Sequence, residues 1–170
     1  IGTDRLRAVV KSIREEIIAL GGEVHFLSQV TDIEVKNGRA CSVTVNGAQI
    51  SAENILLAAG HSARDTFAVL REKGVLMEAK PFSVGARIEH LQEDINRAQY
   101  GGFAENPALW AAEYQLSYKT DGRCAYTFCM CPGGYVVAAA SEPGGVVTNG
   151  MSDHARDGKN ANAALLVTLN

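Results

Sequence analysis

Two stretches of the chain concentrate side chains that could do chemistry. The first is Tyr126-Thr127-Phe128-Cys129-Met130-Cys131-Pro132-Gly133-Gly134-Tyr135. In an unbroken strand, Cys129 and Cys131 point to the same face, two residues apart. Pro132 then ends the pairing, and Gly133-Gly134 permits a tight turn or a close approach of backbone to a ligand. Thiols so placed suit a site beside a planar cofactor. A metal reading takes Cys124, Cys129 and Cys131 with His154, but structural zinc sites use Cys-x2–4-Cys pairs and this spacing is Cys-x-Cys. The residues alone favour the plainest account, small buried hydrophobes, because free cysteine is among the most buried residue types.

The second stretch is Thr148-Asn149-Gly150-Met151-Ser152, followed by His154, Arg156-Asp157-Gly158-Lys159-Asn160 and Asn162. It is dense in hydrogen-bonding groups, and His154 is of the one type that titrates near neutrality without help. A loop that merely satisfies backbone and water fits it as well as a substrate-side loop. Lesser candidates are His61, as a turn residue or a group facing a cofactor, and Arg87, Glu89 and His90, most simply a solvated or ion-paired strand face. Tyr100 and Trp110 read as core or interface anchors.

The elements that must position these residues begin with an amphipathic helix from Asp4 to Leu20. Leu6, Val9, Val10, Ile13, Ile17 and Leu20 form its core-packing stripe, Thr3 its cap and Gly21-Gly22 its stop. Glu23–Leu27 reads as a short strand. Period-two alternation over residues 30–50, broken by Asn37-Gly38 and Asn46-Gly47, predicts a three-stranded antiparallel meander. Ile55–Ala58 follows as an apolar strand covered on both faces, ending in Ala59-Gly60. Ser62-Ala63-Arg64-Asp65 opens a second helix in capping-box fashion, which Gly74 ends. Beyond residue 79 come a half-buried strand over 81–90, a short helix over 91–99, and strands near 115–119, 125–130, 134–140 and 146–148. The last twenty residues read as irregular until 163–169.

Composition bounds the rest. The 170 residues suffice for a sizeable core, and 46 % hydrophobic with 21 % charged residues is ordinary for a globular protein. A net charge of −3 argues against a nucleic-acid partner. No apolar run is long enough to span a membrane and no signal peptide opens the chain, so the expected location is cytoplasmic, with the cysteines as thiols. A start at Ile1 and an apolar run near residue 167 read as the cut ends of a larger protein.

Five motifs occur together and in order: Ile1-Gly2-Thr3-Asp4-Arg5-Leu6, Gly60-His61-Ser62-Ala63-Arg64-Asp65-Thr66-Phe67, Pro81-Phe82-Ser83-Val84-Gly85-Ala86-Arg87-Ile88-Glu89-His90, Cys129-Met130-Cys131-Pro132-Gly133-Gly134 and Thr148-Asn149-Gly150-Met151-Ser152. Over essentially the whole chain they resemble a bacterial family of uncharacterised FAD-dependent dehydrogenases, described as NAD- or FAD-utilising, of the two-dinucleotide-binding-domain type. The apolar strand ending in Ala59-Gly60 is similar to the last strand of the FAD-binding domain in such flavoproteins.

The resemblance implies an α+β fold. Residues 1–78 would be the middle segment of a discontinuous, Rossmann-like FAD-binding domain with its meander. Residues 79–170 would be an inserted, mostly β cap on the substrate side of the flavin. It implies an FAD-dependent oxidoreductase as the parent, with NAD(P)H as a possible electron donor and a small-molecule substrate. By matched position, Val30 would lie by the adenine and Ala59 and Gly60 near the middle of the cofactor. Gly133, Gly134 and Asn149 would lie toward the ring, with Cys129 and Cys131 as flavin-side thiols and His154 as proton donor. No Gly-x-Gly-x-x-Gly occurs, so this chain alone is expected to bind FAD weakly, to be inactive, and to self-associate through unpaired strands 23–27 and 54–58. No metal site is expected. The alternative is a non-catalytic module that binds a small molecule or a protein without flavin.

Overall fold

The computed structural model describes residues 1–120 and 122–169. It forms two compact units, residues 1–19 with 80–170 and residues 20–79. The opening helix, which the sequence reading places with the segment 1–78, thus groups with the later unit.

That helix, α1, spans Thr3–Ala19. The amides of Arg5 and Leu6 both donate to the Gly2 carbonyl. Thr3 lies inside the helix and does not cap it, because its hydroxyl turns to the Met151 sulfur at 3.4 Å. The expected core stripe is open: Leu6, Val10, Ile13 and Ile17 are between 44 % and 57 % exposed.

In the unit of residues 20–79, β1 (Val30–Lys36), β2 (Arg39–Val45) and β3 (Ala48–Ser51) make the antiparallel meander. Asn37 and Gly38 have φ of 53° and 75°, and Asn46 and Gly47 have 49° and 83°. Both central residues of each turn are left-handed, the geometry that matches strand twist and that Asn-Gly supplies at least strain. Helix α2 (Arg64–Glu72) packs on β1. Its expected capping box is not formed: Ala63 holds the cap position, and Asp65 Oδ2 instead accepts a hydrogen bond from Gln29 Nε2 at 3.2 Å.

The two strands expected at 23–27 and 54–58 join no sheet among the described residues. An apolar strand of a parallel layer is held by its neighbours' ladders, and here it has none, so Phe26 is 69 % and Leu56 91 % exposed. The architecture is therefore mixed α/β with antiparallel sheets.

The meander carries a pH-sensitive tie. Glu34 Oε2 accepts from Ser42 Oγ at 2.8 Å and from Gln49 Nε2 at 2.7 Å, and Oε1 pairs with Lys36 Nζ at 2.8 Å. Lys36 first, and then Ser42, hold this carboxyl down at about 2, against an ordinary 4.5. Because the folded value is the lower one, the contribution is complete above about pH 4.5 and fades as the pH falls through about 2. Hydrogen exchange of the 30–51 amides should accelerate across that window, and Glu34→Gln should remove most of the dependence.

The other unit is built on β4 (Phe82–Leu91), β5 (Ser117–Thr120), β6 (Arg123–Cys131), β7 (Gly134–Ala138), β8 (Thr148–Ser152) and β9 (Asn160–Leu169), with α3 (Gln92–Tyr100) after β4. One sheet has the order β4-β9-β6-β5, and β7-β8 forms a separate hairpin. The polar stretches expected as loop are in fact strand at 148–152 and 160–162. The core centres on small residues: Ala112 is 1 % exposed, and Ala161, Asn162 and Ala163 are fully buried. No helix among the described residues is long and apolar enough to cross a membrane.

Candidate functional site

The site grows out of a break in β6. Phe128 faces Ala164 and Cys131 faces Asn162, so three steps on β6 span two on β9. The extra residue makes a bulge, and Cys129 takes a left-handed backbone with φ of 51°. The bulge overturns the expectation that Cys129 and Cys131 share one face: Cys129 is exposed and Cys131 buried.

The Cys131 thiol donates to the Cys129 carbonyl at 3.3 Å. Burial pushes it above the usual thiol range, with the nearby Cys129 adding and Arg87 opposing. Arg87 Nη1 donates to Asn162 Oδ1 at 2.7 Å and to the Cys129 carbonyl at 3.2 Å. Arg87 Nε and Asn162 Nδ2 are buried donors without an acceptor among the described residues. Gly150 lies against this cluster. A Cβ there would fall within 3 Å of Asn162 Oδ1, Arg87 Nη1 and Cys131 Sγ.

The turn Pro132-Gly133-Gly134 is closed by protein. The Gly133 amide donates to Gln92 Oε1 at 2.8 Å. Gln92 Nε2 in turn donates to Asn96 Oδ1 and to the Ala112 carbonyl, each at 2.9 Å. A Cβ on Gly133 would fall well within 3 Å of the Arg156 backbone, and one on Gly134 within 3 Å of the Met151 carbonyl. The glycines thus serve a close approach of backbone to backbone, where the sequence left open an approach to a ligand.

Cys129 opens on a cleft of about 420 Å³ with Glu113, Tyr114, Gln115, Thr127, Phe128 and Met130. Tyr114 shares a 3.3 Å hydrogen bond with His90 Nε2, and burial raises its phenol. His154 lines a different cleft, with Trp110, Ser152 and Arg156. Its backbone amide donates to Asp4 Oδ1 at 2.8 Å, and its ring meets Trp110 edge-on at 6.5 Å. Cys129 and His154, candidates for one reaction, therefore line separate clefts. Asn149 is exposed on β8, its Oδ1 taking the Gly150 amide. In the other unit, Val30 lines a cleft of about 240 Å³ between β1 and α2, and Ala59 and Gly60 are exposed. Among the described residues, no three histidine, cysteine or acidic side chains gather as metal ligands.

Gln92 escaped the sequence reading, and Gly150 and Asn162 stood in its second polar stretch without their place against Arg87 and Cys131 being legible. A polar residue opening a helix and an asparagine in a polar run are ordinary, and only their burial reveals them. Arg87, read there as part of a solvated or ion-paired face, is joined to the buried Asn162.

The family model described as "FAD-dependent protein, C-terminal domain-like" matches residues 81–170. An uncharacterised protein of Clostridium beijerinckii is 55 % identical over 171 residues, which cover 99 % of this chain and 32 % of that protein. The chain thus spans about a third of the length of the curated relative it matches. Through residues 81–170, more than half its length, the chain belongs to the family of FAD-dependent proteins that share this C-terminal domain-like fold.

Proposed function

We propose that the whole protein is an FAD-dependent oxidoreductase, in which the unit containing residues 80–170 forms the substrate side over the flavin ring. The family match over 81–170 carries this reading. FAD, when bound, supplies hydride or electron transfer between a donor, here NAD(P)H by class, and an acceptor.

The residues of this chain fit such a cofactor unevenly. Gly60 is left-handed, with φ of 79°, and nothing stands within 4 Å of where its side chain would be, so backbone there is free to approach a ligand. Val30 lines the cleft beside α2. The turn at Gly133-Gly134, expected toward the ring, has its Gly133 amide taken by Gln92 and both glycines against protein backbone, so it offers the ring a closed backbone surface and no free Gly133 amide. The roles left to the chain are a Rossmann-like backbone edge at Ala59-Gly60, the exposed Cys129 thiol with Cys131 behind it, Asn149 toward the ring, and His154 as a proton donor. The isolated chain self-associates through its open runs at 23–27 and 54–58.

The test is the visible spectrum of the whole protein purified without added cofactor. Flavin bands that bleach with NADH or NADPH are expected. A colourless protein that takes up no FAD would sink the oxidoreductase reading and favour a flavin-free binding module.

A further inference from the structure

We infer that Cys129 and Cys131 form a thiol–disulfide couple that exchanges with low-molecular-weight disulfides entering the cleft beside Phe128. The inference deepens the reading of these two thiols but needs no flavin.

The bulge makes the pairing possible. In a regular strand, the Cβ atoms of residues two apart are separated by about 6.6 Å, beyond the Cβ separation of about 3.8 Å that a disulfide needs. The extra residue and the left-handed backbone at Cys129 fold the segment back, so that Cys131 Sγ reaches the Cys129 carbonyl at 3.3 Å. A left-handed non-glycine residue persists only where its surroundings impose it, and such positions gather at functional sites.

The two thiols differ in access in the way that an attacking and a resolving cysteine differ. Cys129 is exposed in a cleft of about 420 Å³, whereas Cys131 is 7 % exposed behind it. The buried partner also has support for its charged form. Arg87 Nη1, Asn162 Oδ1 and Cys131 Sγ converge on Gly150, and Arg87 Nε and Asn162 Nδ2 are donors without an acceptor among the described residues. A thiolate on Cys131 would lie against the Arg87 guanidinium, whose Nη1 shares the surroundings of Gly150 with Sγ. The Arg87 charge acts in that direction, against the burial that favours the neutral thiol.

The Cys129 thiolate attacks one sulfur of R–S–S–R, the small disulfide bond breaks, and one RS⁻ leaves and takes up the proton Cys129 released. Cys131 then loses its proton and attacks Cys129 Sγ. The mixed disulfide breaks, and the second RS⁻ leaves as RSH. Two protein thiols and one small disulfide become one protein disulfide and two small thiols. An added dithiol returns the two electrons.

The test uses the intact reduced chain with oxidised glutathione as the probe, followed by alkylation of the remaining thiols and mass spectrometry with fragmentation. The expected product has Cys129 linked to Cys131 and has lost two hydrogens, with Cys41 and Cys124 alkylated and two glutathiones released per chain. In Cys131→Ser the reaction should stop with one glutathione on Cys129. Should that variant not fold, the wild-type product alone decides. Alkylation of all four cysteines, a lasting glutathione adduct on wild-type Cys129, or a Cys124–Cys129 link would each overturn the inference. None of these readouts involves flavin, so a colourless parent protein and a failed exchange are separate outcomes.

Discussion

Gly133→Ala is expected to destabilise the unit of residues 1–19 and 80–170 by about 3 kcal/mol or more. Two effects add. Gly133 has φ of 55°, a left-handed backbone that costs a Cβ-bearing residue about 1–2 kcal/mol. The added methyl also falls on the Arg156 backbone, well within 3 Å, and overpacking of this kind costs about 1–3 kcal/mol. The obstacle is backbone and cannot swing aside as a long side chain could. Urea unfolding followed by circular dichroism, with the fluorescence of the one tryptophan, Trp110, as a second probe, measures it. A loss under about 0.5 kcal/mol, within the range of a neutral surface change, would mean that the turn is not closed against residues 156–158.

Gln92→Ala should come next, at about 2–4 kcal/mol. The side chain is 6 % exposed and satisfies the Gly133 amide, the Ala112 carbonyl and Asn96 together. Truncation leaves a buried donor and a buried acceptor without partners, each a loss of about 1–3 kcal/mol. Gln92→Glu keeps the acceptor for Gly133 but replaces the donor with a buried charge, so it should not rescue. Because both substitutions act on the contacts of one turn, the double variant should lose less than the sum of the two singles. Additive losses would show that Gln92 and Gly133 are not part of one arrangement.

The sequence told most where local chemistry decides the backbone. Asn37-Gly38 and Asn46-Gly47 demanded left-handed turns, and the meander between them formed as expected. The alternation of residues 82–90 likewise marked β4. It told least where a partner decides. Asn160 and Asn162 look like loop residues, yet they lie in β9, and Asn162 is fully buried because Arg87 donates to its side chain. The bulge at Cys129 depends on the register against β9, which no local composition carries, and it reversed the relation of the two thiols. Ile55–Ala58 has the composition of a buried strand, but composition cannot supply the neighbours that would make it one.

The place of β9 governs the order in which the chain can fold. Residues 160–169 run between β4 and β6, and Phe82 pairs with Leu169 across 87 positions of sequence. During synthesis β4, β5 and β6 therefore emerge from the ribosome before the strand that joins them. Until it arrives, β4 and β6 have edges without partners, and closing loops of that length is slow and prone to misassembly. The meander at 30–51 has only short-range pairings and can form as soon as it clears the exit tunnel. The sheet β4-β9-β6-β5 can therefore close only once residue 169 has cleared the tunnel, well after the meander.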